Sequence, residues 1–289
     1  MSQHETRIAS DKRVVILGAD RPVAVIGERI NPTGRRALAE ALERGDMSLV
    51  VRDGLAQVEA GADILDVNVG IPGADQPALM AAAVEALQDA TDAPLCIDST
   101  EPAVLQAGLA AYRGIALVNS VNGEERSLDG VLPLVKEHGA AVIGLTMDDD
   151  GIPPTAVGRL RVAEAILSRA VAIGILAENV ILDPLAMAVG ADTAAARITL
   201  ETIRLIRQHL GANVTLGVSN VSHGLPARPA LNSAFCAMAL AAGVTCPIVN
   251  PLDTSMMDTI RAANLLLGQD EWAAGWIGAY RAAQRRGSA

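Results

Sequence analysis

The chain has 289 residues, enough for one sizeable core or two small ones, and 51% of them are hydrophobic, which excludes a disordered polypeptide. A formal net charge of −10 with no long basic run argues against nucleic acid and anionic membrane surfaces as partners. No apolar run reaches the roughly 18 residues of a membrane span, and the opening MSQHETRIASDKR lacks the apolar core of a signal peptide. The expected location is the cytoplasm.

In chain order, residues 1–21 read as an N-terminal extension, whose VVIL segment is predicted to form a strand or hairpin closing the floor of the main domain. Residues 22–289 read as that single domain. It contains eight short β-like runs, at 22–27, 63–70, 94–99, 115–120, 140–147, 179–184, 213–220 and 244–250. Each is rich in Val, Ile or Leu without clean alternation, as expected of parallel strands covered on both faces. Helical spacing fills the intervals: Val51, Leu55 and Val58; Val162, Ile166, Ala170 and Ile173; Ile203, Ile206 and Leu210. Pro102 after Ser99–Thr100 and the pair Asp192–Thr193 are start signals, and Gly45, Gly61, Gly139, Gly174 and Gly243 are helix ends or strand openings. Strand and helix alternating eight times predict a (β/α)8 TIM barrel. A doubly wound open sheet is the alternative, weakened because no GxGxxG comes after the first strand.

The strands share a second property. Each ends in polar residues at or just beyond its carboxyl end: Glu28 with Asn31, Asp66 with Asn68, Asp98 with Ser99, Asn119, Asp148, Asp183, Ser219 with Asn220, and Asn250. In a barrel these ends converge on one mouth, where active sites lie. A single Asp or Asn at a strand end commonly caps a helix or fixes a turn; a polar residue on every repeat is harder to explain that way. The resulting cup holds carboxylates and amides, no obvious Lys and few His. A carboxylate accepts two parallel N–H bonds from an amidine-like edge, and Asn both donates and accepts, so the cup suits a flat, nitrogen-rich ring. Gly217 would let such a ring approach the backbone, with a core-packing glycine as the alternative.

No metal site is expected. His4, His138, His209 and His223 share no ligand spacing, and MDDDG at 147–151 lacks the calcium-loop pattern. Cys96, Cys236 and Cys246 stand far apart and read as buried small hydrophobes. Ser219 and Ser222 lie outside any GxSxG context.

The segments VIGERIN, DVNVG, CIDST, VNS with its following Asn and Glu, IGLTMDDDGIP, ILDPL and LGVSNVSHGLPARPALNSAF together resemble the methyltetrahydrofolate:corrinoid methyltransferases, in order from about Val25 to about Leu267. These share the pterin-binding barrel with dihydropteroate synthase and with the folate module of cobalamin-dependent methionine synthase. The resemblance implies a TIM barrel, usually a homodimer, binding 5-methyltetrahydrofolate at its mouth. Asp98 and Asp183 would hold the amino-pyrimidinone edge, Asn119 would add a hydrogen bond, and Gly217 and Ser219 would line the ring. Asn220 would sit by N5, and Arg228 would meet the anionic part of the folate. Glu28, Asn31, Asp66 and Asn68 are further candidates. His223 stands where relatives often carry Gln, which adds a titratable group near the site. No DxHxxG motif and no thiolate cluster occur in the sequence, so the corrinoid is expected on a separate protein, and homocysteine activation is not expected here. The competing readings are a folate-binding docking module without turnover and dihydropteroate synthase itself. The latter calls for an NVTPDSF-like first loop and a late Lys with SxR, where this chain has GERINPTG and SNVSHG.

Overall fold

The structure, a computed structural model, describes residues 4–287. An antiparallel hairpin comes first, β1 (Thr6–Ser10) and β2 (Val14–Leu17). The first half of the repeats is β3 (Ile26–Ile30), α1 (Arg36–Glu43), α2 (Ser48–Ala60), β4 (Ile64–Asn68), α3 (Gln76–Ala90), β5 (Leu95–Asp98) and α4 (Pro102–Ala111). Next come β6 (Gly114–Ile115), β7 (Leu117–Asn122), α5 (Glu125–Glu137), β8 (Ala141–Leu145), α6 (Ala156–Ala172), β9 (Val180–Asp183) and α7 (Ala195–His209). The chain continues through α8 (Arg228–Ala242), β10 (Ile248–Val249), α9 (Thr254–Leu266) and α10 (Ala274–Gly287). No helix among the described residues is long and apolar enough to cross a membrane.

Parallel strands neighbour one another in the order β10, β3, β4, β5, β7, β8, β9. Residues 213–217 fill the remaining gap. On one side Leu182 N–H donates to the Asn213 carbonyl (3.0 Å) and Thr215 N–H to the Leu182 carbonyl (3.1 Å); on the other, Ile248 N–H donates to the Leu216 carbonyl (2.9 Å). The ring of eight closes, and the fold is the predicted (β/α)8 barrel.

Local differences from the sequence reading have physical causes. The first barrel strand starts at Ile26 rather than at residue 22, because side chains serve the preceding amides: Asn264 Oδ1 accepts from Val23 and Asp63 Oδ2 from Val25, each at 3.0 Å. The run 115–120 is shared between two sheets, since β6 pairs with β1 whereas β7 joins the barrel. The run 213–220 stops early as a strand and becomes a 3₁₀ turn, Val218–Ser222. On α2 the inward face is Val50, Asp53, Gly54 and Gln57, and Leu55 is exposed. A Cβ on Gly54 would lie 2.6 Å from Leu87 Cδ2, so the missing side chain at position 54 is what brings that face against its neighbours.

Strand alternation divides the core in two. Outward residues such as Leu65, Val67, Ile97 and Val142 pack under the helices. Inward residues Ile26, Ile64, Cys96, Leu117, Ile143 and Ile181 form a separate cluster with Ile8, Val15 and Leu17 of the hairpin. The hairpin therefore packs on the amino-end half of the barrel interior. Asn213 Nδ2 ties it to the ring, donating to Thr6 Oγ1 (2.9 Å) and to the His4 and Leu17 carbonyls (3.2 Å each).

Candidate functional site

One step further along each strand the inward positions turn polar. β4 places Asp66 and Asn68 above Ile64, on the same face, and the ladder sets Asn68 opposite Asp98 and Asp98 opposite Asn119. Adjacent strands thus offer carboxylate and amide alternately. Asn68 Nδ2 donates to Asp98 Oδ2 (3.0 Å) and Asn119 Nδ2 donates to Asp66 Oδ1 (3.1 Å). Asp66 is 4% exposed. Burial pushes its carboxyl well above the usual range, the charge of Asp98 pushes it further, and the Asn119 amide offsets part of this. Burial also raises Asp98, opposed by hydrogen bonds from Asn68 and Asp66. Two carboxyls this close and this dry retain a proton between them more readily than either would alone.

Asp183 ends β9 on another side of the ring. Its Oδ1 accepts the Leu185 N–H at 2.7 Å. Burial pushes its pKa up to about 7, against the Leu185 amide and the charge of Arg159, which pull it down. Arg159 lies on α6 and is 3% exposed. It donates to the carbonyls of Pro184 (2.7 Å), Leu185 (2.8 Å) and Pro153 (3.1 Å). It therefore anchors the loop that presents Asp183, a role that the sequence reading missed. The available signal was an arginine on the buried face of a helix whose other inward residues include Ala156, Leu160, Ala163 and Ile166.

Glu28 stands on β3. Burial raises its pKa to about 7, opposed by the charges of Arg29 and Arg228 and by a hydrogen bond from the Ser219 side chain. That bond links β3 to the 3₁₀ turn carrying Ser219 and Asn220. Gly217 precedes the turn, and a Cβ there would lie 3.0 Å from Asn220 Nδ2, so the glycine leaves room for the Asn220 side chain. Asn220 and His223 are exposed. Arg228, the first residue of α8, donates from Nε to Ser222 Oγ (3.0 Å) and from Nη2 to the Ser219 carbonyl (2.9 Å).

Two candidates stand apart. Asn31 Oδ1 accepts from the Thr33 N–H (2.9 Å), as in an ordinary Asx turn. No hydrogen bond joins His223 to the other candidate side chains among the described residues. Inside the barrel, Glu28 links β3 to the turn through Ser219, and β4, β5 and β7 are joined through the carboxylate–amide lattice, with Asp183 at the end of β9; Asn220 and Arg228 lie exposed on the turn and the start of α8. The chemistry is that of a polar cup offering carboxyl acceptors to a ring edge rich in N–H groups. A cavity of about 850 Å³ lies elsewhere, between α2, α9 and α10, and contains none of these residues.

Comparison with known proteins bears on the family and the fold. The chain is 29% identical over 262 residues to the methylcorrinoid:tetrahydrofolate methyltransferase of Eubacterium limosum, covering 89% of this chain and 96% of that protein. It is 34% identical over 260 residues to the methionine synthase of Mycobacterium tuberculosis (strain ATCC 25618 / H37Rv), covering 86% of this chain but only 22% of that protein. The chain thus spans about a fifth of the methionine synthases it matches. Among solved structures, dihydropteroate synthase from Xanthomonas albilineans in complex with 7,8-dihydropteroate superposes with a TM-score of 0.70 at 23% identity, covering 90% of this chain and 98% of that one, a likeness of fold. The family described as pterin binding enzyme matches residues 27–250. That match runs from β3 to β10, the whole ring that carries the cup, and the chain therefore belongs to the pterin-binding enzymes.

Proposed function

We propose that this chain catalyses methyl transfer between N5 of 5-methyltetrahydrofolate and the cobalt of a corrinoid carried on a separate protein. The observation that carries the reading is the pairing of carboxyls on β5 and β9 with an amide-bearing turn on the same mouth. It is supported by a methylcorrinoid:tetrahydrofolate methyltransferase relative matched over nearly its whole length. Asp98 and Asp183 accept the N–H groups of the amino-pyrimidinone edge. Asn119 gives one of its two N–H groups to Asp66 and adds a further hydrogen bond to the ligand. Gly217 and Ser219 line the ring. Asn68 and Asp66 brace Asp98 and Asn119, Glu28 braces Ser219, and Asn31 holds the loop beyond β3.

A methyl group on a neutral tertiary amine is a poor electrophile, because the departing nitrogen carries developing negative charge. A donor to N5 that tightens as this charge grows stabilises the transition state preferentially. Asn220 supplies that donor from its amide, and His223 lies three residues further along the same loop. The corrinoid supplies the cobalt that takes up or gives back the methyl group. The nucleophile is thus outside this chain, whose task is to bind, orient and polarise the folate. The chain acts as one component of a one-carbon, demethylating or divided methionine synthase system. Its second partner is another copy of itself, a homodimer to which the exposed Leu266, Leu267 and Trp272 near the C-terminal end are suited.

The test mixes the protein with 5-methyltetrahydrofolate and chemically reduced free cobalamin and follows the cobalt spectrum. Turnover supports the reading. Tight folate binding without turnover, with the natural corrinoid protein also present, would replace it with a docking module, and absence of folate binding would end it.

A further inference from the structure

The turn that bears Asn220 is poorly equipped to hold itself. It is a five-residue 3₁₀ segment, and its own backbone bonds are long: Asn220 N–H to the Gly217 carbonyl at 3.4 Å, and His223 N–H to the Asn220 carbonyl at 3.2 Å. Runs of this kind have inferior hydrogen-bond geometry and are seldom stable alone. Support comes from outside. Val189 N–H donates to the Val221 carbonyl and Leu225 N–H to the Ser222 carbonyl, each at 3.0 Å. Further hold comes from a guanidinium. Arg228 Nε donates to Ser222 Oγ, its Nη2 donates to the Ser219 carbonyl, and Ser222 Oγ itself donates to that carbonyl (3.3 Å). Ser222 is completely buried. Ser219 is thus gripped twice, its carbonyl by Arg228 and its hydroxyl by Glu28.

Arg228 is itself set for this task. Ala227 before it adopts the left-handed region (φ +53°) and Pro229 after it fixes the first turn of α8, so its backbone is committed before the side chain reaches out. The planar guanidinium presents two parallel N–H groups to acceptors one turn apart, which an ammonium cannot reproduce. Two of its five donors are spent on this turn, and the acceptors they meet flank Asn220 in sequence.

We propose that Arg228 is a positioning residue: it clamps the Val218–Ser222 turn and thereby sets the attitude of Asn220, rather than neutralising the anionic tail of the folate. This rests on the methyl-transfer reading above for its catalytic half and on the hydrogen bonds alone for its structural half. The two roles make opposite kinetic predictions. A clamp acts on an interaction made in the transition state and lowers kcat, whereas a tail contact acts on ground state and transition state alike and raises KM.

The experiment compares wild type, Arg228→Gln, Arg228→Lys and Ser222→Ala on 5-methyltetrahydrofolate and on a 5-methyltetrahydropterin without the aminobenzoyl-glutamate, with reduced free cobalamin as acceptor. Amide hydrogen exchange of the ligand-free proteins is read in parallel. For Arg228→Gln, kcat falls about tenfold while the folate KM moves by less than twofold, and the loss is equal on the truncated donor. Exchange across residues 218–223 quickens about tenfold while the middle of α8 is unchanged, and Arg228→Lys recovers only part of either effect. A raised KM with unchanged kcat, vanishing on the truncated donor, overturns the proposal, as does unaltered exchange in the turn. If the wild type neither binds folate nor transfers methyl, the methyl-transfer reading falls, and the exchange measurement still decides the clamp.

Discussion

At the amino end of the barrel interior, Ile8, Val15 and Leu17 of the hairpin meet Ile26, Ile64 and Leu117, and the space is filled with hydrocarbon. About two residues further along the same strands, Glu28, Asp66, Asp98 and Asn119 face inward in its place. Backbone, ladder and twist are continuous between the two levels, yet they contribute to stability with opposite sign. Burying the aliphatic floor is favourable by roughly 25 cal/mol per Å² of apolar surface. Burying the carboxyls of the mouth costs free energy, which is why burial drives Asp66, Asp98 and Asp183 all upward in pKa. The floor keeps the ring closed so that the mouth can hold groups that would otherwise favour water.

That contrast can be broken from either end. The largest effect belongs to the floor. Leu17 is 1% exposed, and Leu17→Ala is expected to destabilise the fold by about 2–5 kcal/mol while leaving the kcat of the folded fraction unchanged; urea titration together with kinetics reads both. At the mouth, Asn220→Ala leaves the unfolding midpoint alone and lowers methyl transfer by about a hundredfold, the usual scale for one transition-state donor. Asp98→Ala comes next. It weakens folate binding by roughly tenfold to a hundredfold, the loss expected of a charge-assisted pair, and calorimetry should show this without loss of stability. A variant that unfolds instead would show that the lattice supports the ring.

A separate effect is the one with pH. Asp183 and Glu28 have folded-state pKa values of about 7, against about 4 in an unfolded chain. Between those values the native state binds more protons than the unfolded state. Stability is therefore fully present below about pH 4, declines as pH rises towards about 7, and is level above it. The ligand-free protein should melt at a lower temperature at pH 8 than at pH 5, and Asp183→Asn should flatten that slope. A midpoint that rises over the same interval would contradict the burial of these groups.

Much of this was legible in the sequence, because both barrel and cup are periodic. The β-like runs and the polar residue near the end of each gave the ring and its mouth, and the ladder then placed Asp98 beside Asn68 and Asn119. What escaped was whatever depends on contacts without a period. Leu55, Val51 and Val58 make a plausible stripe, but Gly54 and Gln57 form the true inner face, since close approach to Leu87 requires a glycine and the Arg29 N–H donates to Gln57 Oε1 at 2.8 Å. Arg159 drew no reading from the sequence, because its partners, the Pro184 and Leu185 carbonyls, lie more than 20 residues away. Arg228 suggested an anion partner, while its two bonds of known length go to neutral oxygens of its own loop.

Asn213 carries one consequence about time. Its amide closes on Thr6 across a sequence separation of 207 residues. The hairpin leaves the ribosome ahead of the ring, and at about 5–20 residues per second its partner emerges roughly 10–40 s after it. Until then Ile8 and Leu17 have no completed ring to pack on. Sealing the floor is a late event in the birth of this protein, and the nascent hairpin is the apolar surface that a chaperone would meet.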